Sequence, residues 1–360
     1  MRYSKRRQVL ATEVDSKPQL ASLSFEKALN AFLQVQDSAG HSRVTRADYK
    51  TVVGLFLRYM TDTHGYSCVD EITESDLLGW LAHLRNSNSS LGTPYSTRTI
   101  ATYCRDVLTF FHWLIDHKYL QVDPTLLINE PKVEKALIRV FTDEELKMLD
   151  VACDRAPSGR SITPDERRML AARDRAVLWL LLSTGIRLSE LCGLRFCDLD
   201  WDKGMVLVKG KGAKERRVPM GTVARQHLNT YIVYWRGAPA DTNERVFTTV
   251  FGKPVTPSAI KQLFARLKRV VGITDKRVSA HTCRHWFAVS SIKRGVPSVV
   301  LQDWLGHEDL KMIKTYIRLA EQDHSDLYAK FSPVDSLEMH TSSKEKRGQL
   351  RDWRNSRKKV

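Results

Sequence analysis

Cysteine is scarce in this chain and is never arranged for a bond or a metal. The six cysteines, Cys68, Cys104, Cys153, Cys192, Cys197 and Cys283, form no Cys-x-x-Cys pair. That argues against a disulfide framework or a zinc knuckle and for reduced thiols in a cytosolic protein. Long apolar runs are missing too. The longest, Ala176–Leu182, has seven residues, far short of a membrane span. The basic opening MRYSKRRQ is followed by no apolar stretch, so no signal peptide is expected. No repeat of fixed period runs through the chain, which excludes a solenoid. Nor is there a cluster of Asp and Glu of the kind a metal-dependent nuclease needs.

Negative charge is also in short supply. The 360 residues carry 57 Lys and Arg against 41 Asp and Glu, a net charge of +16. Much of the excess lies at the ends: Arg2, Lys5, Arg6 and Arg7 open the chain without an acid. The last twenty residues hold eight basic side chains against Glu345 and Asp352. Such tails lie along phosphates or stay solvated, and a basic chain points to a nucleic-acid partner. With 42% hydrophobic and 27% charged residues, the length suits two globular domains.

Helical periodicity dominates the first third. Phe25, Leu29, Phe32 and Leu33 repeat at helical spacing, as do Val52, Leu55, Phe56 and Tyr59. Thr73-Glu74-Ser75-Asp76 is a start signal before Leu77, Trp80, Leu81 and Leu84. After a Ser/Gly/Pro-rich loop at 86–95, Ile100, Tyr103, Val107, Phe110, Phe111 and Leu114 mark a further helix. This predicts an all-α domain of four or five helices over 22–122, with a linker over 123–140 containing Pro124 and Pro131. A mixed domain is expected over 141–335. Thr142–Glu145 caps a helix, Arg173–Ser183 is a buried helix ended at Gly185, and Leu188–Leu194 is a short helix. Met205–Val208 and Arg217–Pro219 flank Gly210-Lys211-Gly212 as a β-hairpin. The chain reads as helical again from Thr256 to about Phe331. Residues 154–166 look like a surface insertion, and basic tails occupy 1–21 and 336–360. The fold class is therefore mainly α with a small β-hairpin or sheet, α+β.

Five clusters in the second half could carry chemistry. They are Thr184–Leu191 with Arg187, the hairpin lysine Lys211, His281-Thr282-Cys283-Arg284-His285, Leu305-Gly306-His307, and Thr315-Tyr316-Ile317. Arginine forks match the oxygens of a phosphodiester, lysine or histidine can protonate a departing oxygen, and a tyrosine hydroxyl can be the nucleophile. Each also has a structural reading. Arg187 could pair with Glu190, Lys211 could be an exposed turn residue, and His281 with His285 could ligate a metal. His307 could cap a helix, and Tyr316 could pack in a core with Ile313 and Leu319. Spacing alone does not choose between these readings.

In combination the boxes resemble the tyrosine recombinase, or lambda-integrase, family. Its Thr-Gly-[Ile/Leu]-Arg-x-Ser-Glu-Leu box stands at Thr184–Leu191, and its Gly-Lys-Gly-x-Lys-x-Arg-x-Val-Pro box at Gly210–Pro219. Its His-x-Leu-Arg-His box stands at His281–His285, with Cys283 in place of leucine, followed by Leu305-Gly306-His307 and Tyr316. The resemblance implies a SAM-like core-binding domain and a catalytic domain forming a C-shaped clamp on duplex DNA. It also implies a set of roles. Arg187 and Arg284 clamp the scissile phosphate, Lys211 protonates the leaving 5′ oxygen, and His281 assists proton transfer at the tyrosine. His307 bonds the phosphate and Tyr316 attacks, leaving a 3′-phosphotyrosine, with Glu190 and His285 in support. No ATP, metal or other cofactor is implied. Tyr328 is a rival nucleophile, but only Tyr316 follows Leu305-Gly306-His307 at the family's distance.

Ser96, Thr97, Arg98 and Arg105, at and after a helix start, are expected DNA contacts, as are Lys214 and Arg216 of the hairpin box. The implied partners are double-stranded recombination sites, a homotetramer synapsing two of them, and an accessory or directionality factor; no membrane is implied. Glu321–Phe331 reads as an amphipathic helix docking into a neighbouring protomer. The insertion and basic tail favour a mobile-element integrase or transposase over an Xer-type dimer resolvase. A type IB topoisomerase and a non-catalytic DNA-binding regulator are the remaining alternatives.

Overall fold

The structure is a computed structural model that describes residues 22–89, 92–133, 138–155, 163–210, 215–306 and 310–320. The expectations for Lys211, Lys214, His307, Tyr328, both tails, the 321–331 helix and most of the 154–166 insertion fall outside the described residues. The chain separates into two units, Met1–Ala136 and Leu137–Val360.

The first unit is built of α1 (Phe25–Ser38), α2 (Arg43–His64), α3 (Glu74–Asn86) and α4 (Thr97–Asp116), with one 3-10 turn at Val69–Glu71. The helix starts follow from local chemistry. At α3, Asp76 accepts the Thr73 backbone N–H at 2.9 Å. At α4, the Ser96 hydroxyl accepts the Thr99 N–H at 3.1 Å, so each satisfies a donor a helix end leaves orphaned. The apolar stripes meet in an aromatic core of Phe32, Phe56, Trp80, Phe110 and Phe111, all nearly inaccessible to solvent. Phe56 meets Trp80 edge-on at 5.0 Å, and Phe32 meets Phe110 likewise at 5.4 Å. Edge-on geometry aligns ring edges with ring faces and adds to the burial.

The second unit begins with α5 (Asp143–Ala152), α6 (Pro164–Thr184) and α7 (Leu188–Gly193). Helix α6 starts nine residues before the expected Arg173, so residues 164–166 of the supposed insertion are its first turn. Thr163 and Glu166 cap each other's backbone N–H groups, and Pro164 occupies the first helical position, where no N–H is needed. A three-stranded antiparallel sheet follows in the order β1 (Leu199–Asp200), β2 (Met205–Lys209), β3 (Glu215–Pro219). The expected hairpin is therefore joined by a short third strand. Helix α8 (Thr222–Tyr231), continued by a π-turn to Arg236, packs on α6.

The unit closes with α9 (Pro257–Val271), α10 (Ala280–Lys293), α11 (Ser298–Leu305) and α12 (Leu310–Ala320). Its main core gathers α5, α6 and the inward face of β2 around Leu180, Leu181, Val206 and Val208. A smaller core joins α10, α11 and α12 through Phe287, Ala288, Leu301, Leu305, Ile313 and Tyr316. No helix among the described residues is long and apolar enough to cross a membrane.

Candidate active site

Gly185 and Gly306 shape the second unit's polar centre. Gly185 ends α6 at φ +60°, and a Cβ there would collide with the Phe287 ring. Gly306 ends α11 at φ +60°. Both turns need a conformation glycine adopts without strain. They also leave helix-end carbonyls with no partner inside their own helix.

Three arginines take those carbonyls. Arg284, buried on α10, donates to Gly185 O at 2.7 Å and to Leu305 O at 2.6 Å. Arg187, just before α7, donates to Gly306 O at 3.0 Å. Arg216 on β3 donates to Trp304 O at 2.7 Å. Three consecutive carbonyls at the end of α11 thus each hold one guanidinium, at the negative pole of the helix dipole.

Glu190 is the carboxylate these cations share. Arg216 grips it with both Nη atoms, at 2.8 Å each. Arg187 adds its backbone N–H at 2.7 Å and Nη1 at 3.1 Å. Burial pushes the Glu190 carboxyl up, yet the hydrogen bonds and charges of Arg216 and Arg187 outweigh it and leave the group below its ordinary pKa. Burial, reinforced by Arg187, pulls Arg284 down to about 10. Three arginines against one carboxylate leave an excess of positive charge, much of it desolvated on Arg216 and Arg284, and an oxyanion is the natural complement.

Tyr316 lies beside this charge. Its side chain is 1% exposed, and its hydroxyl is 2.9 Å from His285 Nδ1. Burial raises its pKa and Arg284 works against that rise. His281, one turn before His285, stacks edge-on against it at 4.2 Å and is itself exposed. Burial of its inner edge, then Arg284 and Arg277, lower its pKa, favouring the neutral imidazole.

The structure therefore brings Arg187, Glu190, His281, Arg284, His285 and Tyr316 together. The histidine that reaches the tyrosine hydroxyl is His285, not His281. Tyr316 does pack with Ile313, as its apolar spacing allows, while keeping a polar partner. Arg216, expected as a DNA contact, points inward, with 13% of its side chain exposed. Strand alternation turns it to the same side as buried Val218, where Glu190 and Trp304 take three of its N–H groups. The period-two pattern Arg216–Val218 was the signal that could have assigned it. The helix-end carbonyls gave no sign, because a carbonyl's partner is invisible in residue type.

In the first unit, Ser96 serves its own helix as the cap, while Thr97 and Arg98 are exposed. Arg105 is exposed but paired with Glu130, at 3.1 Å from Nε and 2.7 Å from Nη2. A surface pair of that kind contributes about 0–1 kcal/mol and can yield to a phosphate. Among the described residues no group of three or more His, Cys, Asp or Glu is placed to hold a metal ion.

The phage integrase family matches residues 139–323, and the phage integrase N-terminal SAM-like domain matches residues 29–118. The tyrosine recombinase XerD of Halalkalibacterium halodurans is 30% identical over 308 residues, 85% of this chain and 97% of its own. That of Staphylococcus aureus is 31% identical over 305 residues, 84% of this chain and 96% of its own. Among solved structures, the XerH site-specific recombinase bound to a palindromic difH substrate is similar with a TM-score of 0.64 at 19% identity. That likeness covers 86% of this chain and 85% of XerH. The lambda integrase tetramer bound to a Holliday junction scores 0.63 at 16% identity, over 82% of this chain and 78% of that one. The Tn1549 transposon integrase with circular intermediate DNA scores 0.60 at 20% identity, over 84% of this chain and 100% of that one.

Proposed function

The chain belongs to the phage integrase family of tyrosine recombinases, site-specific enzymes that break and rejoin DNA strands, and we propose that Tyr316 is its nucleophile and Arg187 with Arg284 its phosphate clamp. The observation that carries this reading is the surplus of guanidinium charge, Arg284 buried and Arg187 partly exposed, beside a histidine-bonded tyrosine hydroxyl. Tyr316 Oη attacks the scissile phosphorus, the bond to the 5′ oxygen breaks, and a 3′-phosphotyrosine remains. The tyrosine proton passes to the His285–His281 pair, and Lys211 returns a proton to the 5′ oxygen. His307 donates a hydrogen bond to the phosphate. The arginines stabilise the charge that develops on the equatorial oxygens. Because the tyrosyl ester conserves the phosphodiester energy, the reaction needs no ATP, and the arginines do the electrostatic work without a divalent ion.

Both units would contact the duplex, the first through Thr97, Arg98 and Arg105 of α4, and the second through Lys214. Four protomers would synapse two sites, a reading the lambda integrase tetramer supports by its fold alone. The reaction class is integration or excision of a mobile element, assisted by a directionality factor. An Xer-type dimer resolvase is the second reading, favoured by the XerD relatives, which the chain spans almost completely.

The test is covalent trapping on nicked duplexes drawn from DNA flanking the gene, in EDTA, with Tyr316→Phe beside the wild type. An adduct lost in the variant is expected; an adduct that survives it would move the nucleophile elsewhere. Recombination between element ends, against resolution of a chromosomal or plasmid dimer, separates the two biological readings.

A further inference from the structure

Arg216 stands apart from the arginines assigned to the phosphate. Its side chain points inward from β3, paired across the sheet with Val208, and only 13% of it is exposed. All three guanidinium nitrogens are engaged, two by Glu190 and one by the Trp304 carbonyl. Gly306 presses on it from the other side: a Cβ at that position would lie 3.0 Å from Arg216 Nη1 and 3.1 Å from its Cδ and Cζ. Three of its five N–H groups are thus committed inside the protein.

Glu190 explains what this arrangement does. A carboxylate offers about four lone-pair sites, and Glu190 has four donors on them, two from Arg216 and two from Arg187. Arg216 takes the fork-to-fork geometry, so Arg187 is left with a single side-chain bond to the carboxylate. The Arg187 side chain remains 41% exposed, with donors to spare for an incoming oxyanion.

We infer that Arg216 is a positioning residue which, by occupying Glu190 and the end of α11, keeps Arg187 from closing onto Glu190 and holds it open for the phosphate. This rests on the clamp role proposed for Arg187. Without Arg216, Glu190 becomes a bidentate partner for Arg187 and competes with the phosphate for it. The same contact ties β3, five residues beyond Lys211 in sequence, to α7 and to the turn that precedes His307. Lysine cannot replace it, because an ammonium is a point donor that cannot span both carboxylate oxygens.

The experiment measures single-turnover cleavage of a nicked duplex by Arg216→Lys and Arg216→Ala, with DNA affinity across a salt series and thermal melting alongside. The expected result is a loss of cleavage of about a hundredfold, the scale of a misplaced catalytic group, with affinity within about twofold and the salt slope unchanged. Guanidinium ion, against sodium at matched ionic strength, restores part of the rate to Arg216→Ala and none to Arg216→Lys. Glu190→Gln combined with Arg216→Lys costs no more than the worse single change.

Cleavage at the wild-type rate in both variants overturns the inference. So does a loss that follows affinity with a salt slope shallower by about one, the mark of a direct phosphate contact. A readout without DNA keeps this separate from the nucleophile assignment. In arginine side-chain NMR, the Arg187 Nε–H signal should move in Arg216→Lys whether or not the wild type forms an adduct. An unmoved signal counts against the inference.

Discussion

The two units treat buried charge in opposite ways. In the first, the only buried polar or charged side chains among the described residues are Asp76 and Thr125, and the interior is a set of aromatic contacts, many of them edge-on. In the second, Asp174, Glu190, Asp198, Arg266, Arg284 and His285 are all buried. Some of this charge meets a carboxylate directly: Arg266 meets Asp174 at 2.5 Å and Arg173 meets it at 2.7 Å. The Arg187–Glu190–Arg216–Arg284 group carries a larger surplus, three arginines to one carboxylate against two to one, and it sits by Tyr316. Desolvated charge is costly in a stable fold but strong where charge develops in a transition state. The first unit's interior is an apolar scaffold, and the second unit keeps an unbalanced cluster of positive charge that complements an anion.

The sharpest way to break that contrast is to remove charge from each unit. Arg284→Ala should lower single-turnover cleavage about a thousandfold, somewhat beyond the loss of one transition-state donor, because it also orphans the Gly185 and Leu305 carbonyls. Arg105→Ala in the first unit should instead weaken DNA binding and flatten its salt dependence, leaving the cleavage rate at saturation intact. Equal losses of rate in both would erase the distinction.

Glu190→Gln probes the same contrast through stability. Removing one partner of a buried ionic group should cost about 3–5 kcal/mol, seen in chemical denaturation at neutral pH. Because its folded pKa is depressed, Glu190 contributes in full above the unfolded carboxylate value. Its contribution is lost as pH falls through the folded one, so wild type and variant should converge in acid. A penalty that persists at low pH would assign the effect to packing.

Gly306→Ala should cost about 1–2 kcal/mol for the left-handed backbone and slow cleavage as well, since the added methyl presses on Arg216. A stability loss with an unchanged rate would separate the turn from the site.

The smallest effect belongs to the first unit. Asp106 on α4 is held up to about 6 by burial and then by Asp48. A carboxyl with a raised folded pKa stabilises fully below its unfolded pKa and loses that contribution as pH rises through the folded value. Asp106→Asn should therefore gain on the order of 1 kcal/mol at pH 8, after allowance for solvent screening, and nothing near pH 4. A gain independent of pH would mean that the charge is not its source.

Much of this was legible in residue order. The caps at Thr73, Ser96 and Thr142 and the apolar stripes after them are local signals, and the helices begin where those residues place them. The start of α6 was misread because Pro164 looks like a breaker in isolation, whereas after a capping threonine it is a helix opener. Arg216 stands in a run of basic residues, and only its strand register reveals that it faces inward.

What the sequence determined by itself was the set of reactive residue types, their order and the elements that carry them, because helix periodicity, caps and turns depend on neighbours a few positions apart. What only the tertiary structure decided was which group each charge meets. Arg216 reaches a carbonyl 88 residues away, Arg284 one 99 residues away and Arg187 one 119 residues away. His285 is joined to Tyr316 across 31 residues. A guanidinium accepts any well-placed oxygen, so its partner is chosen by the packing of α7, β3, α10 and α11 rather than by anything written beside it in the chain.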